Sequence, residues 1–327
     1  MKITVLAIFC GIPLFASLAG CRDDRPVTPS APPEVYSIRV EPASLVLVAG
    51  GSAQLAAQAD DVRGVTVGGA SFTFTSTDPQ IVRVTATGHV TTPGRAGRAE
   101  VRVASGDRAI SVPVAVSAGA AARVDVVEAA ATRAAAGGSL GTVRVRVVDA
   151  HGNAIGNRSV LWRIVQGGGA LIDATEHTEP DGGTSVTWYA GRTAGPQRLE
   201  FSTEGIVPAV FEAVAHAGPA TQLQLRLAGS TGEGPAGIDV GQPAQMVAAV
   251  SDAHGNAVAG AEVVLDPVAS CGVDGRRATT GETGTTPRIT WTPRAATSCR
   301  LSARVEGTQV TATLDVQIRV PRPVRRR

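Results

Sequence analysis

The chain has 327 residues, enough for one to three domains. Its hydrophobic content of 43% excludes a disordered polymer, because there is ample apolar area to bury. The formal net charge is +2, but setting aside Lys2 and the arginines Arg319, Arg322, Arg325, Arg326 and Arg327 leaves 24 basic against 28 acidic residues, about −4, over 21–318. That balance excludes a polyanion binder acting through bulk charge, and so gives no reason to expect a nucleic-acid partner.

The chain starts MKITVLAIFCGIPLFASLAGC. One cation, Lys2, precedes an apolar run from Ile3 to about Leu18, short for a spanning helix and long enough for an export signal. The run ends in Leu18-Ala19-Gly20-Cys21, which resembles the lipobox of bacterial lipoproteins. The resemblance implies cleavage of 1–20 between Gly20 and Cys21, with a diacylglycerol on the Cys21 thiol and the membrane as partner. Arg22 stands where an Asp marks inner-membrane retention, so the resemblance points to the outer membrane or cell surface. Residues 21–34 are polar and Pro-rich and read as an extended tether.

Over 35–117, Ile38 and Val40, Leu45 and Leu47, and Val101 and Val103 alternate with polar neighbours, the period of a strand with one dry face. The run Thr75-Ser76-Thr77-Asp78-Pro79, then Val82-Arg83-Val84, Gly88-His89-Val90 and Gly94-Arg95-Ala96-Gly97, resembles the bacterial Ig-like family called BIG2. Phe74 takes the place of that family's usual Trp.

The stretch DAHGNA occurs at 149–154 and again at 252–257, 103 positions apart. Superposing the two places Val143, Val145 and Val147 on Met246, Ala248 and Val250, and Thr187-Trp188 on Thr290-Trp291. Residues 122–216 and 219–318 are therefore two copies of one fold. Short alternating strands (TVRVRVVD, SVLWRIV, SVTWY) are separated by Gly-rich turns, the pattern of a two-sheet sandwich. In the repeated turn, Gly152 and Gly255 allow positive φ, while Asp149, Asn153, Asp252 and Asn256 can bond nearby amides. The turn, the later Asp181-Gly182-Gly183-Thr184 and the Trp-bearing strand resemble the invasin/intimin type of bacterial Ig-like domain; Gly281-Glu282-Thr283-Gly284 departs from it in the second copy.

Cys271 and Cys299 are the thiols left in the exported body, and a disulfide between them would close a loop of about 29 residues, adding about 3.5 kcal/mol. Their counterparts in the middle copy fall near Gly168 and Pro196. No His or Cys pair has metal-ligand spacing, and calcium wants more oxygens than either DAHGN loop offers, so neither metal nor cofactor is expected. His151 and His254 read as exposed turn residues. Trp162, Trp188 and Trp291 sit on the apolar side of their strands and read as core; exposed, they would be sugar-stacking platforms. The tail 319–327 reads as a solvated end, with contact to an anionic wall component as the other reading. The HExxH and GxxxxGK[ST] patterns are absent, and no Gly-rich stretch leads from a strand into a helix, so no enzyme is expected.

The expectation is an all-β chain of three tandem Ig-like β-sandwiches in an extended rod on the order of 100 Å long. Its expected role is adhesion or structural display in the cell envelope through protein contacts. The alternatives are a carbohydrate- or envelope-polymer-binding module, or a spacer within a larger assembly. The protein or glycan ligand and the oligomeric state stay open.

Overall fold

The alternation in TVRVRVV sets Val143, Val145 and Val147 fully inside, with Arg144 and Arg146 in solvent. The same zigzag builds each strand of the computed structural model, which describes residues 34–228, 237–295 and 298–320. The leader, Gly20, Cys21, the tether before Glu34 and the tail beyond Val320 lie outside the described residues.

The first unit has β1 (Ser37–Glu41), β2 (Leu45–Val48), β3 (Ser52–Gln54), β4 (Ala56–Asp60), β5 (Thr73–Ser76), β6 (Arg83–Val84), β7 (His89–Thr91), β8 (Gly97–Ser105) and β9 (Arg108–Ser117). The second has β10 (Ala121–Glu128), β11 (Arg133–Ala135), β12 (Ser139–Asp149), β13 (Leu161–Gln166), β14 (Ala170–Ile172), β15 (Gly183–Tyr189), β16 (Gly195–Ser202) and β17 (Ala209–His216). The third has β18 (Gln222–Leu227), β19 (Gly237–Asp239), β20 (Ala244–Ser251), β21 (Glu262–Leu265), β22 (Arg276–Thr279), β23 (Ile289–Trp291), β24 (Ser298–Val305) and β25 (Thr311–Arg319).

Each unit is a sandwich whose first strand is shared between sheets. In the middle unit β10 opens the sheet β10-β12-β15-β14, and β11 crosses to the sheet β11-β17-β16-β13, where it runs parallel to β17. The first and third units repeat the parallel pair, Leu45 facing Val114 and Gly237 facing Gln317. The remaining ladders are antiparallel. This is the Ig-like sandwich plan, three times in tandem.

The third unit departs in one strand. In the middle unit Gly167, Gly168 and Gly169 all take positive φ and carry the chain across to pair β14 with β15. In the third unit a 3-10 turn, Ala269–Cys271, stands there, and Val268 pairs back with Val273. The chain returns on itself, and β22 pairs with β21 instead.

Three separate cores result. With aromatics at 3%, they are mostly Val, Leu and Ala. The middle core adds Trp188, fully buried, and Trp162, whose ring lies 4.8 Å from that of Phe201.

Candidate functional site at the joints between units

Among the described residues no group of three His, Cys, Asp or Glu could hold a metal ion. An open depression of about 660 Å³ on the first unit is lined by Ser44, Val46, Thr77, Arg98, Glu100 and Pro113 among others. Trp162, Trp188 and Trp291 are 7%, 0% and 6% exposed, so none offers a face to a sugar. The stacking form of the carbohydrate alternative is therefore withdrawn. The indole N–H of Trp162 reaches Thr184, while those of Trp188 and Trp291 are buried without a protein partner, a feature the two copies share.

Two buried carboxylates, Asp149 and Asp252, lie in the repeated turn. Asp149 is 1% exposed, and both its oxygens are saturated. Oδ1 accepts from the backbone N–H of His151 (2.9 Å) and Asn153 (2.8 Å). Oδ2 accepts from Asn153 Nδ2 (2.8 Å) and from the N–H of Gly119 in the linker (2.8 Å). Asp252 repeats all four bonds, with His254, Asn256 and the linker Gly218. Gly152 and Gly255 turn the chain at φ of 86° and 83°. Four donors occupy the lone pairs of each carboxylate, so in this structure both carboxylates serve the turn and the linker.

Burial pushes the Asp149 and Asp252 carboxyls up, but the hydrogen bonds, led by the Asn153 and Asn256 side chains, outweigh it and bring each down to about 2. Both are ionised at any physiological pH.

The turn also reaches the preceding unit. Asn153 Nδ2 donates to the carbonyl of Gly94 (2.7 Å), and its Oδ1 accepts from the N–H of Ala96 (2.8 Å). Asn256 does the same with the Arg192 carbonyl (2.8 Å) and the Ala194 N–H (2.8 Å). Both receiving loops lead into the strand before the last, β8 or β16. The exposed ring of His151 lies against the previous unit, where a Cβ on Gly94 would sit 2.4 Å from its Cδ2 and one on Gly50 3.1 Å from its Cε1. The ring of His254 lies against Gly137, where a Cβ would be 3.0 Å from its Nε2. Spacing in the sequence marked the turn itself. It gave no sign of the receiving groups on Gly94, Ala96, Gly119, Arg192, Ala194 and Gly218, because they are backbone atoms and leave no letter.

Cys271 and Cys299 are joined, S–S 2.02 Å and Cα–Cα 6.0 Å. The counterpart of Cys299 is Gln197, one residue from the expected Pro196. Gln197 faces Ala213 two places before Leu199 faces Phe211, and Cys299 faces Val316 two places before Leu301 faces Leu314. Gln197 is 1% exposed; its Oε1 accepts from Gly191 N–H and its Nε2 donates to the carbonyls of Gly195 and Thr193. A lone Gln in an alternating strand gives no hint of burial, so sequence reading passed over it.

Fold and joints define a class: a tandem array of Ig-like β-sandwiches linked end to end through a repeated turn. Residues 34–116 match the family described as bacterial Ig-like domain (group 2). The array is similar to FdeC, an Escherichia coli adhesin (21% identity, TM-score 0.46, 86% of this chain and 96% of that chain), and to InvD of Yersinia pseudotuberculosis (17%, 0.46, 86% and 96%). The D0-D1 domain of intimin is similar at 18% identity and TM-score 0.24, over 61% of this chain and 98% of that chain. No curated protein matches the chain.

Proposed function

We propose that the chain is a lipid-anchored rod of the bacterial cell envelope, which holds Ig-like faces and sheet edges away from the membrane for contact with other proteins, in adhesion or structural display. The observation that supports it best is the identity of the two joints: each repeats the same carboxylate-to-linker and carboxamide-to-loop bonds. The buried carboxylates Asp149 and Asp252 thus serve the places where unit meets unit. The lipobox-like Leu18-Ala19-Gly20-Cys21 supports the anchor, with the Cys21 thiol as the lipid-bearing group. Two or three acyl chains hold a protein to a membrane where one does not.

Metabolic labelling with palmitate tests the anchor: label is expected on the parent chain and lost in Cys21→Ala. Equal labelling of both would end that part of the reading. A protease that cannot enter the periplasm, applied to intact cells, tests display; complete protection until the outer membrane is opened would replace surface display by a periplasmic spacer.

A further inference from the structure

We infer that the Asp-x-His-Gly-Asn turn is a binding site whose ligand is the backbone of the preceding Ig-like unit, with Asn153 and Asn256 as the residues that recognise it. The inference concerns the joints themselves and does not depend on a lipid or on an external ligand.

The first unit separates turn-making from recognition. Its corresponding turn is Asp61-Val62-Arg63-Gly64-Val65. Asp61 Oδ1 accepts from the N–H groups of Arg63 (2.8 Å) and Val65 (2.9 Å), as Asp149 Oδ1 does from His151 and Asn153. Gly64 N–H closes on the Asp61 carbonyl and takes φ 77°, matching Gly152. So the reversal is complete without an Asn or a His. Where Asn153 and His151 stand in the middle unit, the first has Val65, 57% exposed, and Arg63, which pairs with Asp61 Oδ2. Asp and Gly are what the turn needs; Asn and His are what the joint needs.

A carboxamide is the side chain that fits. The receiving loop offers one carbonyl and, two residues on, one N–H, so its reader must donate and accept side by side. The second Nδ2 hydrogen of Asn153 goes to Asp149 Oδ2, which fixes which way the amide faces. That bond is charge-assisted, and the same carboxylate holds the linker through Gly119. One buried charge thus ties together the turn, the reader and the linker.

Because the reader grips backbone, the two receiving loops need not share their side chains. The loops Gly94-Arg95-Ala96-Gly97 and Arg192-Thr193-Ala194-Gly195 differ at two of four places and present the same two groups. The reading side is the same in both joints, DAHGNA at 149–154 and at 252–257.

The test uses the full-length chain with Asn153→Ala and Asn256→Ala together. Small-angle scattering of the parent is expected to fit one fixed arrangement of units, and that of the variant to require a spread of orientations. Elastase cleavage within 118–121 and 217–221 is expected to rise about tenfold or more, as the loss of two hydrogen bonds per joint implies. Val65→Ala, at the non-gripping position, is expected to change neither. Superimposable scattering and unchanged cleavage in the double variant would overturn the inference. If that variant fails to fold, hydrogen exchange of the Ala96 and Ala194 amides in the parent decides: slow exchange supports the joint and free exchange overturns it.

Discussion

Gln197 of the middle unit and Cys299 of the last occupy the same position in the sandwich, and each ties down the same part of its unit by different chemistry. Gln197 holds the 191–195 loop through three hydrogen bonds and packs against Gly167, where a Cβ would lie 2.3 Å from its Oε1. Cys299 bonds covalently to Cys271, in the turn that replaces the Gly167–Gly169 crossing. The loop that Gln197 holds is the one that presents the Arg192 carbonyl and the Ala194 N–H to Asn256.

Gln197→Ala is expected to destabilise the middle unit by about 2–3 kcal/mol, because it leaves the Gly191 N–H without its partner and opens a cavity. Denaturant unfolding of the intact chain reads this as an earlier transition for one unit. A change within a few tenths of a kcal/mol would mean the loop holds its shape without the side chain.

Replacing both Cys271 and Cys299 by Ala is expected to remove about 3.5 kcal/mol from the third unit, the loop-closure value for their separation of 28 residues. Calorimetry should show the third unit melting earlier and the other two in place. A uniform fall of all transitions would contradict three independent cores.

Trp188→Ala is expected to cost roughly 3–5 kcal/mol, since the side chain is fully buried between the sheets. In the parent chain acrylamide should quench tryptophan emission weakly, and soluble sugars should not alter it. Strong quenching by a sugar would restore the glycan reading.

The joints should withstand acid to about pH 4. Asp149 and Asp252 have folded pKa values of about 2 against an ordinary 3.8. A lowered carboxyl adds stability that is complete above the ordinary value and is lost as pH falls through the folded one. Each contributes about 2 kcal/mol. Thermal unfolding between pH 6 and 1.5 should therefore be flat at first and then drop. Asp149→Asn with Asp252→Asn should lower stability at neutral pH and flatten the drop, with a residue of slope from Asp61 and Asp315, which are also lowered. An unaltered drop would place the acid-sensitive groups elsewhere.

Much of this was legible in one dimension because strands announce themselves by period. Val143, Val145 and Val147 alternate with arginines, and no other regular structure puts every second side chain inside. The internal repeat showed that the third unit copies the second, and a glycine set between Asp and Asn marked the turn. Gln197 stayed hidden because polarity alone says nothing of burial, and the change of partner for β22 depends on a three-residue turn.

What the amino-acid order determined by itself was the local chemistry: which residues alternate, where the chain reverses and where a lipobox-like stretch stands. Only the tertiary structure decided what the reversal is for. Asn153 and Gly94 lie 59 positions apart, and the group recognised is a carbonyl common to every residue. A contact with main-chain atoms has no signature in side-chain letters, so it exists only once the two units are folded and set end to end.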